Sequence, residues 1–217
     1  MPETKLMFDF LRQLAENNNR EWFGSQQQEY QKAKNAAENL IGHCISSLSE
    51  SYPLGELLPK QCMFRIFRDV RFSRNKDPYK KNFSALIAPG GRKSPSVFSW
   101  YLHLEPGNFF LASGMYEPSP EQLARIRQEI EYNAAEFRGI LSELAGCFGE
   151  LQGNQLKTAP KSYPKDHPEI AFLRHVQWYF MKSYSESEIS SPDFPQRFSD
   201  DALRLLPFLR FLERALA

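Results

Sequence analysis

The stretch VFSWYLHLEPGNFFLASGMY, residues 97–116, decides the fold. Its two halves are rich in aromatic and branched residues, and Pro106-Gly107-Asn108 between them has the composition of a hairpin turn. Upstream, CMFRIFRD and NFSALIAP have the same character. The pattern therefore predicts strands at roughly 62–69, 82–89, 97–105 and 108–114. The separators are too short for helical crossovers, apart from a basic stretch between the first two strands, so mostly antiparallel pairing is expected. VQWYFMKSY, residues 176–184, predicts a last strand.

Helical periodicity brackets this block. Residues 4–17 place Leu6, Met7, Phe10, Leu11 and Leu14 on one face. Asn18 and Glu21 have capping-box spacing for a second helix. Its stripe of Tyr30, Ala33, Ala37, Leu40, Ile41, Cys44, Ile45 and Leu48 runs to about residue 50, before Pro53. Ser119-Pro120-Glu121-Gln122 opens a helix carrying Leu123, Ile126 and Ile130, and another is predicted over 134–146. LKTAPKSYPKDHP, residues 156–168, reads as loop, with Asp166 as cap of a short helix from Pro168. From Ser199 a closing helix carries Ala202, Leu205, Leu206, Leu209 and Leu212, interrupted by Pro207. The expectation is one α+β domain over residues 1–217. A mostly antiparallel sheet of about four to six strands is flanked by N-terminal, central and C-terminal helices.

Composition narrows the function classes. A chain of 217 residues with 41% hydrophobic and 24% charged residues can bury one substantial core. No apolar run approaches the eighteen or so residues of a membrane span. MPETKLMFDFLRQL lacks the basic, apolar and cleavage regions of a secretory leader, so the expectation is a mature cytoplasmic protein without membrane contact. Cys44, Cys62 and Cys147 are widely separated and form no C-x-x-C pair, which reads as free buried thiols and implies no metal. GGRKS at 90–94 fails the phosphate-loop pattern, because Arg92 and Ile87 stand where glycines are required. No G-x-G-x-x-G occurs, so no cofactor is implied.

The informative anomaly is charge. RIFRDVRFSRNKDPYKKNF, residues 65–83, carries Arg65, Arg68, Arg71, Arg74, Lys76, Lys80 and Lys81 beside only Asp69 and Asp77. Adding Arg92 and Lys93 gives residues 65–93 nine bases against two acids, a local +7 within a total of +1, which leaves −6 elsewhere. Strand alternation sends Arg68 to the side of Phe64 and Ile66. A guanidinium there needs a carboxylate or an anionic ligand.

Three readings follow. The first is a small-molecule site for phosphate, sulfate or carboxylate. There Arg65, Arg68, Arg71, Lys76 and Lys80 bind the anion, Lys161 adds charge from loop 156–168, Tyr79 and His103 move a proton, and Asp69 holds an arginine. The second is an interaction protein whose basic cluster is an internal ion-pair network. The third, a nucleic-acid module stacking a base on Phe72 or Tyr79, is weakened by the −6 of the remaining chain. His103 sits between Tyr101 and Glu105 at strand spacing, so Glu105 can orient its ring; a hydrogen-bonded structural histidine is the plainer alternative.

NNREWF at 18–23, FRDVRFSRNKDPYKKN at 67–82, YLHLEPG at 101–107, GMYEP at 114–118 and LKTAPKSYPKDHP at 156–168 extend over nearly the whole chain. Together they resemble the signature segments of a bacterial family, also seen in fungi, catalogued as domain of unknown function 2461. The resemblance implies a single α+β domain in a cytoplasmic bacterial setting, and brings no established activity or catalytic residues. Asn75 stands before Lys76 where the family pattern usually has an acid.

Overall fold

The structure, a computed structural model, describes residues 2–217. Its four strands are β1 Phe83–Ile87, β2 Trp100–Glu105, β3 Asn108–Met115 and β4 Trp178–Tyr184, in the sheet order β1-β2-β3-β4. The helices are α1 Pro2–Glu16, α2 Arg20–Ser25, α3 Gln27–Ser49, α4 Pro59–Cys62, α5 Pro120–Tyr132, α6 Ala134–Phe148, α7 Ile170–Leu173, α8 Glu186–Ser190, α9 Phe194–Arg204 and α10 Leu206–Leu216. The fold is α+β, with the sheet antiparallel and its strand number at the low end of expectation. The chain divides into two compact units. Unit 1 comprises residues 1–94, 101–111 and 183–203; unit 2 comprises 95–100, 112–182 and 204–217.

In unit 1, α1 packs along α3. The buried face of α1 is Thr4, Met7, Phe8, Phe10, Leu11 and Leu14, whereas Leu6 points to solvent. Leu6 was expected inside; Phe8 takes its place, because the spacing 4, 7, 8, 11 places Phe8 on the stripe facing α3. α3 buries Ala33, Ala36, Ala37, Leu40, Ile41, Cys44, Ile45 and Leu48, and its alanines allow close helix approach.

The single helix expected over 20–50 is interrupted at Gln26, whose N–H bonds back to the Trp22 and Phe23 carbonyls. The N-cap of α2 is Asn19, which accepts from Trp22 N–H at 2.9 Å, and not Asn18. Asn18 is released for a long-range role. Its amide donates to the Tyr79 carbonyl at 3.0 Å and accepts the Tyr79 N–H at 3.1 Å, mimicking one rung of a sheet. The Tyr79 ring, buried, lies flat on Phe23 with centroids 3.9 Å apart. Both contacts fix the Asp77-Pro78-Tyr79 corner against the turn between α1 and α2.

Residues 62–69 do not form the expected strand. Cys62 closes α4, and the remainder makes only isolated bridges, Met63 to Ala85 and Phe67 to Tyr79. Met63 to Phe67 is four residue steps and Tyr79 to Ala85 is six. Two extra residues on one side prevent a continuous ladder and leave a bulge at 80–82, ahead of β1.

Unit 2 is held by α5, α6 and α10, with Phe137 ringed by Phe172 and Phe211. Arg214 of α10 reaches Glu129 at 2.6 Å and Glu136 at 2.6 Å, and these carboxylates raise its pKa. Capping by Ser119 and Gln122 is as expected. Asp166, however, does not cap α7: Glu169 precedes that helix without a side-chain cap, and its N–H donates to His167 Nδ1. Pro207 is the second residue of α10, and the expected interruption is a break at the single residue Leu205. Gly114 of β3 has φ +135°, and a Cβ there would lie 2.3 Å from the Trp178 carbonyl oxygen, so only glycine fits between β3 and β4.

Asn18→Ala removes both bonds to the Tyr79 backbone and leaves its N–H and carbonyl unmatched. The expected loss is about 1–3 kcal/mol in urea unfolding, with the midpoint lowered and the slope unchanged.

Candidate functional site

The basic segment separates into two groups once its partners are traced. The first group serves the loop. Arg71 forms a forked pair with Asp69 (Nε–Oδ1 3.0 Å, Nη2–Oδ2 2.7 Å), which draws the Asp69 carboxyl down and the guanidinium up. Arg68 is half-buried, but its donors reach the Asp77 carbonyl at 3.0 Å and Ser73 Oγ at 3.3 Å, not a carboxylate. Lys76 donates to the Val70 carbonyl at 3.0 Å, and Lys81 faces Asp77 at 3.6 Å.

The second group is Lys80 with Arg65. Lys80 emerges from the bulge immediately after the clamped Tyr79, and its N–H donates to the Ile66 carbonyl at 2.7 Å. The ammonium lies 5.3 Å from the centroid of Phe64. It is half-buried and has no acidic partner among the described residues, and its pKa is lowered, first by burial and then by the charge of Arg65. Arg65 is exposed and forms no salt bridge among the described residues, although its charge helps to lower the Asp69 carboxyl pKa. Inside the same bulge Asn82 Oδ1 is buried without a hydrogen-bond partner among the described residues. A buried acceptor left open costs about 1–3 kcal/mol.

Phe64 connects this edge to β2, because its ring packs at 6.2 Å against Tyr101. Tyr101 Oη is 3.0 Å from His103 Nδ1, and His103 Nε2 is 3.0 Å from Glu105 Oε2. A neutral imidazole in this row donates from Nε2 to the carboxylate and accepts the Tyr101 O–H at Nδ1. Phe110 stacks on His103 at 4.7 Å and 10° and fixes the ring plane. The row can pass a proton between Tyr101 and Glu105 without moving a heavy atom.

Tyr79 is an aromatic anchor, with its ring among Phe23 and Phe67. Asp69 holds an arginine, as its position predicts, although on the exposed loop. Lys161 belongs to unit 2, on a solvated loop together with exposed Lys157 and Lys165; there Tyr163 packs on His167, which lies 3.6 Å from Glu131. Cys44 and Cys62 are buried, and burial raises both thiols, Cys62 to about 11; Cys147, expected buried, is half-exposed beside Lys182 at 3.3 Å. The described residues contain no cluster of metal-ligating groups and no helix long and apolar enough to cross a membrane. The sequence reading missed the bulge and Asn82, which no local pattern marks.

The fold and this edge define an α+β protein with a cation-bearing bulge beside a histidine-centred strand. The chain belongs to the family described as "Conserved hypothetical protein (DUF2461)", whose family model matches residues 6–211. No curated protein and no solved structure matches it.

Lys80→Met keeps the apolar stem and removes the buried charge, so the variant melts higher than the parent at neutral pH. The parent's folded Lys80 has a lowered pKa, so its cost is full below that pKa and disappears as pH rises towards the ordinary lysine value of about 10.4. The advantage of Lys80→Met therefore shrinks at high pH, which melting curves across pH will read.

Proposed function

We propose that this protein binds a small molecule carrying a phosphate, sulfate or carboxylate group, held by Lys80 and Arg65 at the bulge. The half-buried Lys80 ammonium, set 5.3 Å from the Phe64 ring centroid without an acidic partner among the described residues, carries this reading. An anion there restores the charge balance that the protein leaves open, and contributes more at this partly desolvated site than at a fully exposed one. In this reading Tyr101, whose ring packs on Phe64 and whose hydroxyl meets His103, exchanges a proton with the ligand.

The competing ion-pair reading accounts for Arg71 and Lys81, which meet Asp69 and Asp77, while Arg68 and Lys76 donate to neutral oxygens of the same loop. It does not account for Lys80. Sulfate or phosphate is expected to stabilise the protein by about 1.4 kcal/mol at roughly tenfold excess over Kd, a melting shift of about 3–6 °C. Arg65→Gln weakens the shift and Lys80→Met abolishes it, while Arg71→Gln retains it. A flat melting temperature up to high millimolar sulfate contradicts the reading.

A further inference from the structure

Loop 68–78 is ordered by many internal bonds and yet buries little. Arg68 N–H donates to the Pro78 carbonyl, its guanidinium spans to Asp77 and Ser73, Asn75 Oδ1 accepts the Asp77 N–H, and Lys76 reaches Val70. At its tip Phe72 is 96% exposed, with the Arg71 guanidinium 5.9 Å from the ring centroid, and Arg74 is exposed without a partner among the described residues. Fixing a backbone costs about 1–2 kcal/mol per residue, and here no apolar burial offsets it. A shaped loop that displays phenylalanine and arginine has the composition of an interface anchor.

We propose that this loop docks onto a second copy of the chain, with Phe72 as the apolar anchor and Arg74 and Lys76 as charged contacts. Charge distribution selects this partner. Unit 1 has 16 basic and 16 acidic residues; residues 65–93 hold nine and two of them, so the rest of the unit has seven bases against 14 acids, a net −7. That charge opposes the approach of a nucleic acid or an anionic bilayer, and it attracts the loop of another copy. The receiving face is where α3 meets α9, joined by Ser47 to Gln196 at 3.0 Å and Ser199 to the Ser47 carbonyl at 3.3 Å. Glu50, Asp193 and Asp200 are exposed there without an ion pair among the described residues. A two-fold axis lets each copy give its loop and receive the other, which closes the assembly as a dimer.

Sedimentation velocity of the full chain at low and high salt tests this. The expected result is a concentration-dependent dimer at low salt that weakens as salt screens the contact. Phe72→Ser/Arg74→Glu and Asp193→Lys/Asp200→Lys, all at exposed positions, each weaken it by about tenfold or more. An equimolar mixture of the two variants dimerises more tightly than either alone, because one native contact and one charge-swapped contact form. A monomer at every concentration, a dimer indifferent to both variants, or a mixture no tighter than its components overturns the proposal. So does binding to a short single-stranded oligonucleotide or to phosphatidylserine vesicles that Phe72→Ser abolishes. The sulfate melting shift is read on the same loop variant and is expected to persist, so failure of the dimer and failure of the Lys80 site remain distinguishable.

Discussion

The two hydrogen bonds between the Asn18 amide and the Tyr79 backbone constrain the rest of unit 1. They join the end of α1 to a corner sixty-one residues away, and the stack of Tyr79 on Phe23 makes that junction stiff. Because Tyr79 cannot shift, the two surplus residues of the 79–85 segment must bulge after it. Lys80 leaves the chain at that point, and its position over Phe64 follows from the same geometry.

The bulge decides which cations are structural. Residues before the corner form a loop in which Arg68, Arg71 and Lys76 find carbonyls, a hydroxyl and one carboxylate, so their donors are satisfied locally. After it Lys81 still reaches the Asp77 carboxylate, whereas Lys80 has no acidic partner among the described residues. Carboxylates meet only Arg71 and Lys81 of the seven bases across 65–83, and of the cations left without an acid among the described residues Lys80 is the half-buried one set over an aromatic ring.

Much of the fold was legible because local rules determined it. Pro106-Gly107-Asn108 marked the β2–β3 turn, the alanine-rich stripe marked α3, and Ser119-Pro120-x-Gln122 marked the start of α5. Failures came where a distant partner overrode a local pattern. Asn18 has capping spacing, yet its amide serves Tyr79, and Asn19 caps instead. CMFRIFRD has strand composition, but its partner segment is two residues too long for a ladder. The Tyr101, His103, Glu105 row was readable from alternation alone, whereas the link through Phe64 to Lys80 needed the tertiary fold.

The central claim is that Lys80 is a partly desolvated cation awaiting an anion. Its side-chain amine, followed by nitrogen-detected NMR through a pH titration with and without sulfate, gives the most direct measurement. The account predicts a pKa below the ordinary lysine value in the free protein that rises when sulfate is added. An ordinary value that sulfate leaves unchanged would contradict it.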